Sequence, residues 1–149
     1  MHQLNQRLFL MVMLISCCLP GWAYSSNLDE LIEQAEFQAG TGQYMEALEL
    51  LQQALQLAPD SSLVYTRLGG IQLLRQRYRE GIEHFQQAIT LDQANAQAFI
   101  GMAIGYLHLG RYNLARAALN EAERLDPAKQ PEIDKVLAWL DQRSAIMAH

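Results

Sequence analysis

Four histidines, two cysteines and one acidic run are the residues of this chain whose types could do chemistry. His2, His84, His108 and His149 could serve as bases or metal ligands. They are scattered, however, and none pairs with a Cys, Asp or Glu at a zinc spacing. His84 falls on a helical stretch as a surface residue, and His108 at the end of another. Cys17 and Cys18 are adjacent, so they offer neither a disulfide framework nor a spaced ligand set. Asp29, Glu30, Glu33 and Glu36 could gather a cation. They also open a helical stretch, where negative charge complements the backbone dipole, and that reading is the stronger. No glycine-rich phosphate loop, nucleophile elbow or framed carboxylate pair is present. The sequence therefore predicts no enzyme, no cofactor and no metal site.

The chain has 149 residues, 50% of them hydrophobic, enough for one folded domain or a short repeat array. Its formal charge of -5 disfavours a nucleic-acid partner, which would need an excess of Lys and Arg to displace phosphate counterions.

The N-terminus carries Arg7 followed by an apolar run from Leu8 that counts 12 residues through Leu19. That is the charged and hydrophobic layout of a secretory signal, and it is shorter than the ~20 residues that cross a bilayer as a helix. Two processing sites compete. Gly21-Trp22-Ala23 offers small residues for cleavage, making residues 1–23 a signal peptide and Tyr24 the mature start. Leu14-Ile15-Ser16-Cys17 resembles a bacterial lipobox, which implies removal of 1–16, a lipid on Cys17 and a tether over 18–26. Either route predicts export to the periplasm or to an outer-membrane anchor, with membrane contact only through the Cys17 lipid.

A period of 34 organises the rest. Tyr44, Tyr78 and Tyr112 are spaced by 34 residues, and their neighbours recur with them. Ala47, Gly81 and Ala115 share one phase; Leu51, Phe85 and Leu119 another; Ala54, Ala88 and Ala122 a third. Leu57, Leu91 and Leu125 follow, and Pro59, Gln93 and Pro127 close each unit. Upstream come Leu31, Tyr65 or Phe99, then Ala35, Gly69 or Ala103, then Gly42, Gln76 or Gly110. Each unit splits into two amphipathic helical stretches of ~14 residues. Small residues at the crossings let two helix axes approach to ~8–9 Å. Gly69-Gly70, inside a helix, reads as such a close-packing site. Pro59 and Pro127 terminate their helices.

These residues and this spacing resemble the helix-turn-helix unit of the tetratricopeptide-repeat family. The resemblance covers three units, 28–61, 62–95 and 96–129, and implies an all-α solenoid. Unit one departs from the family at Gln34, where a large apolar residue is usual. Unit two departs at Gly81, Gln76 and Gln93. After Pro131, Ile133, Val136, Leu137 and Leu140 repeat the first-helix pattern with no second helix behind them. This fits a capping helix over 130–149 that shields the last repeat, with Trp139 in the packing.

The resemblance further implies a concave groove lined by the first helix of each unit. Carried over residue by residue, its lining is Asp29, Ile32, Glu36, Ala39 and Gly40 in unit one. Unit two contributes Leu63, Thr66, Gly70, Leu73 and Leu74, and unit three Gln97, Ile100, Ile104, Leu107 and His108. The groove is apolar with an acidic lip. Ile32, Glu36 and their equivalents occupy the places where chaperone-binding members hold a C-terminal carboxylate with Lys and Asn, which argues against such a clamp. An apolar groove suits an amphipathic helix or a hydrophobic peptide. Alternatively, residues 138–149 fold back and fill it.

Charge is uneven along the chain: positions 24–60 hold seven acidic residues and no Lys or Arg, whereas Arg67, Arg75, Arg77 and Arg79 crowd unit two. A solvated turn is the plain reading of Arg75, Arg77 and Arg79; docking onto an acidic partner or onto unit one of another copy is the sharper one. The expected function is a non-enzymatic scaffold or adaptor of the cell envelope that binds a protein or peptide, with a role in assembling an envelope, pilus or secretion complex resting on the resemblance alone. A periplasmic holdase-like chaperone and an accessory subunit of an exported enzyme are the alternatives.

Overall fold

The computed structural model describes the backbone of residues 21–147 and the side chains of residues 27–142. Residues 1–20 of the signal segment, with His2, Cys17 and Cys18, and His149 lie outside the described residues. Within them the chain is helical throughout, with no strand: α1 (Gly21–Gly40), α2 (Tyr44–Leu57), α3 (Ser62–Leu74), α4 (Tyr78–Leu91), α5 (Ala96–His108), α6 (Tyr112–Leu125), a 3-10 turn (Pro127–Lys129) and α7 (Gln130–Met147). Helices adjacent in sequence pack on one another, and the first helices of successive pairs also touch, α1 with α3 and α3 with α5. This is a helix-turn-helix solenoid.

Three turns of one design fold the pairs. Gly42, Gln76 and Gly110 all take positive φ, at 84°, 61° and 70°. In each turn the following residue reaches back into the last turn of the helix: Gln43, Arg77 and Arg111 donate to the carbonyls of Gln38, Gln72 and Tyr106 at 2.9, 2.8 and 2.8 Å. The left-handed residue is what closes this cap, and glycine adopts it without a Cβ clash. Gln76 adopts it with one, so the departure seen in the sequence is held by the turn at a local cost.

The pairs are linked by capped starts. Ser61 accepts from the Val64 amide at 3.3 Å, and Asn95 accepts from the Ala98 amide at 2.9 Å. The recurring small residues are buried at the crossings, with Ala47, Ala54, Ala88, Ala115 and Ala122 fully enclosed.

Three readings of the sequence change here. Helix α1 starts at Gly21 rather than at the unit boundary near Leu28, so residues 21–26 are helix rather than tether; no proline or glycine interrupts 22–27. Of the Gly69-Gly70 pair, only Gly69 is a close-packing site: a Cβ there would meet the Phe85 ring at 2.7 Å, whereas one at Gly70 would meet nothing within 4 Å. Trp139 is 44% exposed and touches Tyr112 edge-on at 6.2 Å instead of sitting inside the packing. Buried Ile133 and Leu140 make the core contact of α7, which packs on α6 and the 3-10 turn.

Candidate functional site

A cavity of about 610 Å³ opens on the face formed by the three first helices. Helix α1 supplies Ala35, Glu36, Ala39 and Gly40, helix α3 supplies Thr66, Arg67, Gly70, Ile71, Leu73 and Leu74, and helix α5 supplies Gln97, Gly101 and Ile104. Tyr44 and Leu51 of α2 and Phe85 of α4 complete it from the second helices. Phe85 is 2% exposed and lies between two glycines, since a Cβ on Gly69 or Gly101 would meet its ring at 2.7 or 2.3 Å. Missing side chains on α3 and α5 therefore admit the ring, and the ring forms part of the cavity wall.

The lining is largely hydrocarbon, and its two charged side chains neutralise one another. The Arg67 guanidinium donates to the Glu36 carboxylate, joining the first repeat to the second at the cavity wall. Both side chains are more than a third exposed, so the contact contributes little to stability and chiefly fixes where charge lies. With its one lining cation engaged, the cavity holds no cluster of free donors for a carboxylate.

Thr66 lines the cavity, but its one hydroxyl proton is already engaged. It is 5% exposed, donates to the Ser62 carbonyl at 2.8 Å and accepts from Asn95 Nδ2 at 2.9 Å. Asn95 also donates to Ser62 Oγ at 2.8 Å, which in turn donates to the Ala88 carbonyl at 2.9 Å. Since Asn95 also caps α5 through the Ala98 amide, the network ties α3 and α4 to the start of α5, with every side-chain proton of it engaged.

The structure divides the sequence-derived groove. Glu36, Ala39, Gly40, Thr66, Gly70, Leu73, Leu74, Gln97 and Ile104 come together around the cavity, and Leu74 and Ile104 are 56% and 40% exposed at its edge. Ile32 is a correction: it is 6% exposed and belongs to the core with Ala35, Leu48 and Leu51. Its side chain is enclosed by residues of α2 and α3 in this cluster, among them Leu48, Leu68 and Ile71. Ile100 and Leu107 pack against the C-terminal core cluster instead of lining the cavity. His108 is also displaced from it, its ring stacked on Tyr78 with centroids 4.3 Å apart and planes 3° from parallel. Leu63, 45% exposed, and Asp29, also exposed, lie outside the lining. None of the described residues of α7 lines the cavity, so the fold-back alternative has no support within them.

Tyr44, Leu51, Ile71 and Phe85 line the cavity although their spacing marks them as packing residues. Only Phe85 carried an indirect signal, through Gly69 and Gly101 facing it. The arginines separate: Arg67 joins the cavity, Arg75 donates to Gln72 at 3.2 Å, Arg77 pairs with Glu80 at 3.3 Å, and Arg79 is exposed on the α3–α4 turn side. Burial pushes the His84 imidazole below its usual pKa, against the opposing pull of Glu83 and Glu80. Among the described residues no three His, Cys, Asp or Glu side chains are grouped to hold a metal, and no helix is long and apolar enough to cross a membrane.

Known proteins carry the same pattern. Two family models described as tetratricopeptide repeat match residues 33–98 and 72–140. Among curated proteins, Superkiller protein 3 of Schizosaccharomyces pombe is 35% identical over 63 residues, which is 42% of this chain and 4% of that protein. A 58 kDa phosphoprotein of Plasmodium berghei is 27% identical over 97 residues, 65% of this chain and 23% of that protein. The chain thus spans only a small part of the curated relatives it matches. Solved structures align over more of it. The type III secretion translocator chaperone SycD of Yersinia enterocolitica superposes with a TM-score of 0.75 at 19% identity, covering 80% of this chain and 95% of that one. The TPR2B domain of yeast Sti1, in its pHsp70 complex, gives 0.74 at 18% identity, covering 79% and 98%. The first TPR of Spaghetti (RPAP3), bound to an HSP90 peptide, gives 0.74 at 16% identity, covering 81% and 95%. The 34-residue period, the repeated turns, the family matches and these superpositions lead to one assignment: the chain belongs to the tetratricopeptide-repeat family.

Proposed function

We propose that this protein is a non-enzymatic interaction scaffold that holds a partner peptide or helix in the cavity of α1, α3 and α5. The observation that carries the reading is the cavity itself, about 610 Å³ of mostly apolar space with exposed Leu74 and Ile104 at its edge. Burying such a surface against apolar anchors is favourable, while the paired Glu36 and Arg67 bias the orientation of what enters. The HSP90 peptide bound to the first TPR of Spaghetti, the pHsp70 complex of the Sti1 domain and the chaperone SycD support the same use of the fold.

The place of action we propose is the bacterial envelope, reached through the N-terminal segment, with either cleavage after Ala23 or a lipid on Cys17. The support is the Arg7 and Leu8 to Leu19 pattern of the sequence. Radiolabelled palmitate incorporation in the wild type and its loss in Cys17→Ala would establish the lipid. A mature chain beginning at Tyr24 would instead establish cleavage. There the protein acts as an adaptor aiding assembly of an envelope complex.

The groove is tested by crosslinking in cells and comparing what the wild type and Ile104→Asp retain from envelope extract. Ile104 is already 40% exposed, so an aspartate there leaves the helix folded while placing a charge in the apolar cavity. Loss of a specific partner with helicity unchanged is the expected result. Equal recovery by both proteins contradicts the groove and transfers attention to the turn bearing Arg75, Arg77 and Arg79.

A further inference from the structure

The turns that close the three helix pairs, 41–43, 75–77 and 109–111, are one period apart and so lie along one edge of the solenoid. The linkers 58–61, 92–95 and 126–129 lie along the opposite edge. The two edges differ in charge. Positions 41–46, 75–80 and 109–114 carry Arg75, Arg77, Arg79 and Arg111 against Glu46 and Glu80. Positions 57–62, 91–96 and 125–130 carry Asp60, Asp92 and Asp126 against Lys129. A chain of formal charge -5 therefore gathers a basic patch on its turn edge.

The patch is open to a ligand. Arg77, Arg79 and Arg111 are exposed, and among the described residues no ion pair engages Arg79 or Arg111. Arg75 donates to the neutral Gln72 side chain, and Arg77 alone of the four meets a carboxylate, that of Glu80 at 3.3 Å.

Hydrocarbon accompanies the charge. Met45, Leu74 and Leu114 are 55, 56 and 46% exposed and stand within three residues of these turns. Met45 and Arg79 hold the same repeat position in the first turns of α2 and α4, where Cβ bonds tilt towards the helix N-terminus and so towards this edge. Leu114, in the first turn of α6, leans the same way. None of the four arginines, Met45 or Leu114 lines the cavity of α1, α3 and α5, so this is a second surface.

We infer that the turn edge docks on an anionic phospholipid surface. Headgroup phosphates take the guanidiniums as paired hydrogen-bond acceptors, and the hydrocarbon boundary beneath them takes Met45, Leu74 and Leu114. An acidic peptide accounts for the arginines alone. The acidic linker edge is repelled by the same lipids, so the charge polarity also orients the bound chain with its turns towards the surface. This contact is separate from a lipid on Cys17 and from occupancy of the cavity.

The test uses the full chain carrying Cys17→Ala, which has no acyl group at that position. The probes are vesicles of equal parts phosphatidylglycerol and phosphatidylcholine, with phosphatidylcholine alone as the neutral counterpart. Sedimentation should show tighter binding to the anionic vesicles, weakened by added salt. Arg79→Glu with Arg111→Glu breaks no ion pair among the described residues, so helicity and melting temperature stay at the wild-type level. Its affinity for the anionic vesicles should fall at least about tenfold, while Arg79→Lys with Arg111→Lys retains binding. The apolar N-terminal run is common to all these proteins and cannot produce the difference. Orientation is read by quenching with brominated phospholipid in Met45→Trp and Leu63→Trp, on opposite edges, with the stronger quenching expected at position 45. Equal affinity for both vesicle types, unchanged affinity in the glutamate double variant, or quenching at position 63 that matches or exceeds that at 45 overturns the inference. Capture of polyglutamate through the same two arginines, with the vesicles ignored, makes an acidic protein the occupant, and a dimer that the double variant dissolves makes it a second copy; either overturns the lipid assignment.

Discussion

The two junctions between repeats are built from one template and filled in opposite ways. Between the first and second repeats the space is taken by aliphatic side chains from both sides, Leu48 and Leu51 against Leu68 and Ile71, all buried. Between the second and third, one ring does the filling: Phe85 lies between Gly69 and Gly101, and a polar network through Asn95, Ser62 and Thr66 seals one side. The period thus fixes where helices cross, while the residues at each crossing decide what space remains. Where α3 and α5 trade side chains for glycine, the second junction becomes both ring-packed and open towards the cavity.

That contrast is sharpest in Phe85→Ala. The glycines facing Phe85 have no side chain to relax into the void, so the loss should fall at the upper part of about 3–5 kcal/mol. Leu51→Ala, surrounded by aliphatic neighbours that can shift, should lose less, within about 2–5 kcal/mol. Urea unfolding of the two variants side by side measures the difference, and a larger loss at Leu51 would dissolve the distinction between the junctions.

Asn95→Ala removes a helix cap and two donated bonds together, leaving Ser62 and Thr66 short of a partner in a half-buried site. The expected destabilisation is about 1–3 kcal/mol. Thermal melts read it, and a neutral result would reduce the network to decoration on an apolar contact. The smallest effect has the opposite sign. Gln76 stands at positive φ where the equivalent turns use Gly42 and Gly110, so Gln76→Gly should stabilise the chain by about 0.5–1 kcal/mol. A loss of stability would show that the Gln76 side chain compensates for its backbone.

The fold was legible because its contacts recur. Ala47, Gly81 and Ala115, or Leu51, Phe85 and Leu119, mark one crossing three times over, and a pattern repeated at a fixed interval is hard to produce by other means. The cavity was less legible because lining is a matter of rotation about each helix. Helix α5 is apolar around most of its circumference, so periodicity does not separate Ile104, which lines the cavity, from Ile100 and Leu107, which pack away from it. Ile32 presents the same ambiguity on α1. The Arg67 contact to Glu36 and the Asn95 network join residues about a repeat apart, and nothing in either segment alone announces them.

The proposed function stands or falls on the face of α1, α3 and α5 being where this protein holds its partner. Backbone amide hydrogen exchange, recorded on the full chain with and without a captured partner, tests it most directly because it reports on every helix at once. Added protection in segments 35–40, 66–74 and 97–104, with α2, α4 and α6 unchanged, is the expected result. Protection confined to the second helices, or to the turn carrying Arg75, Arg77 and Arg79, would contradict it.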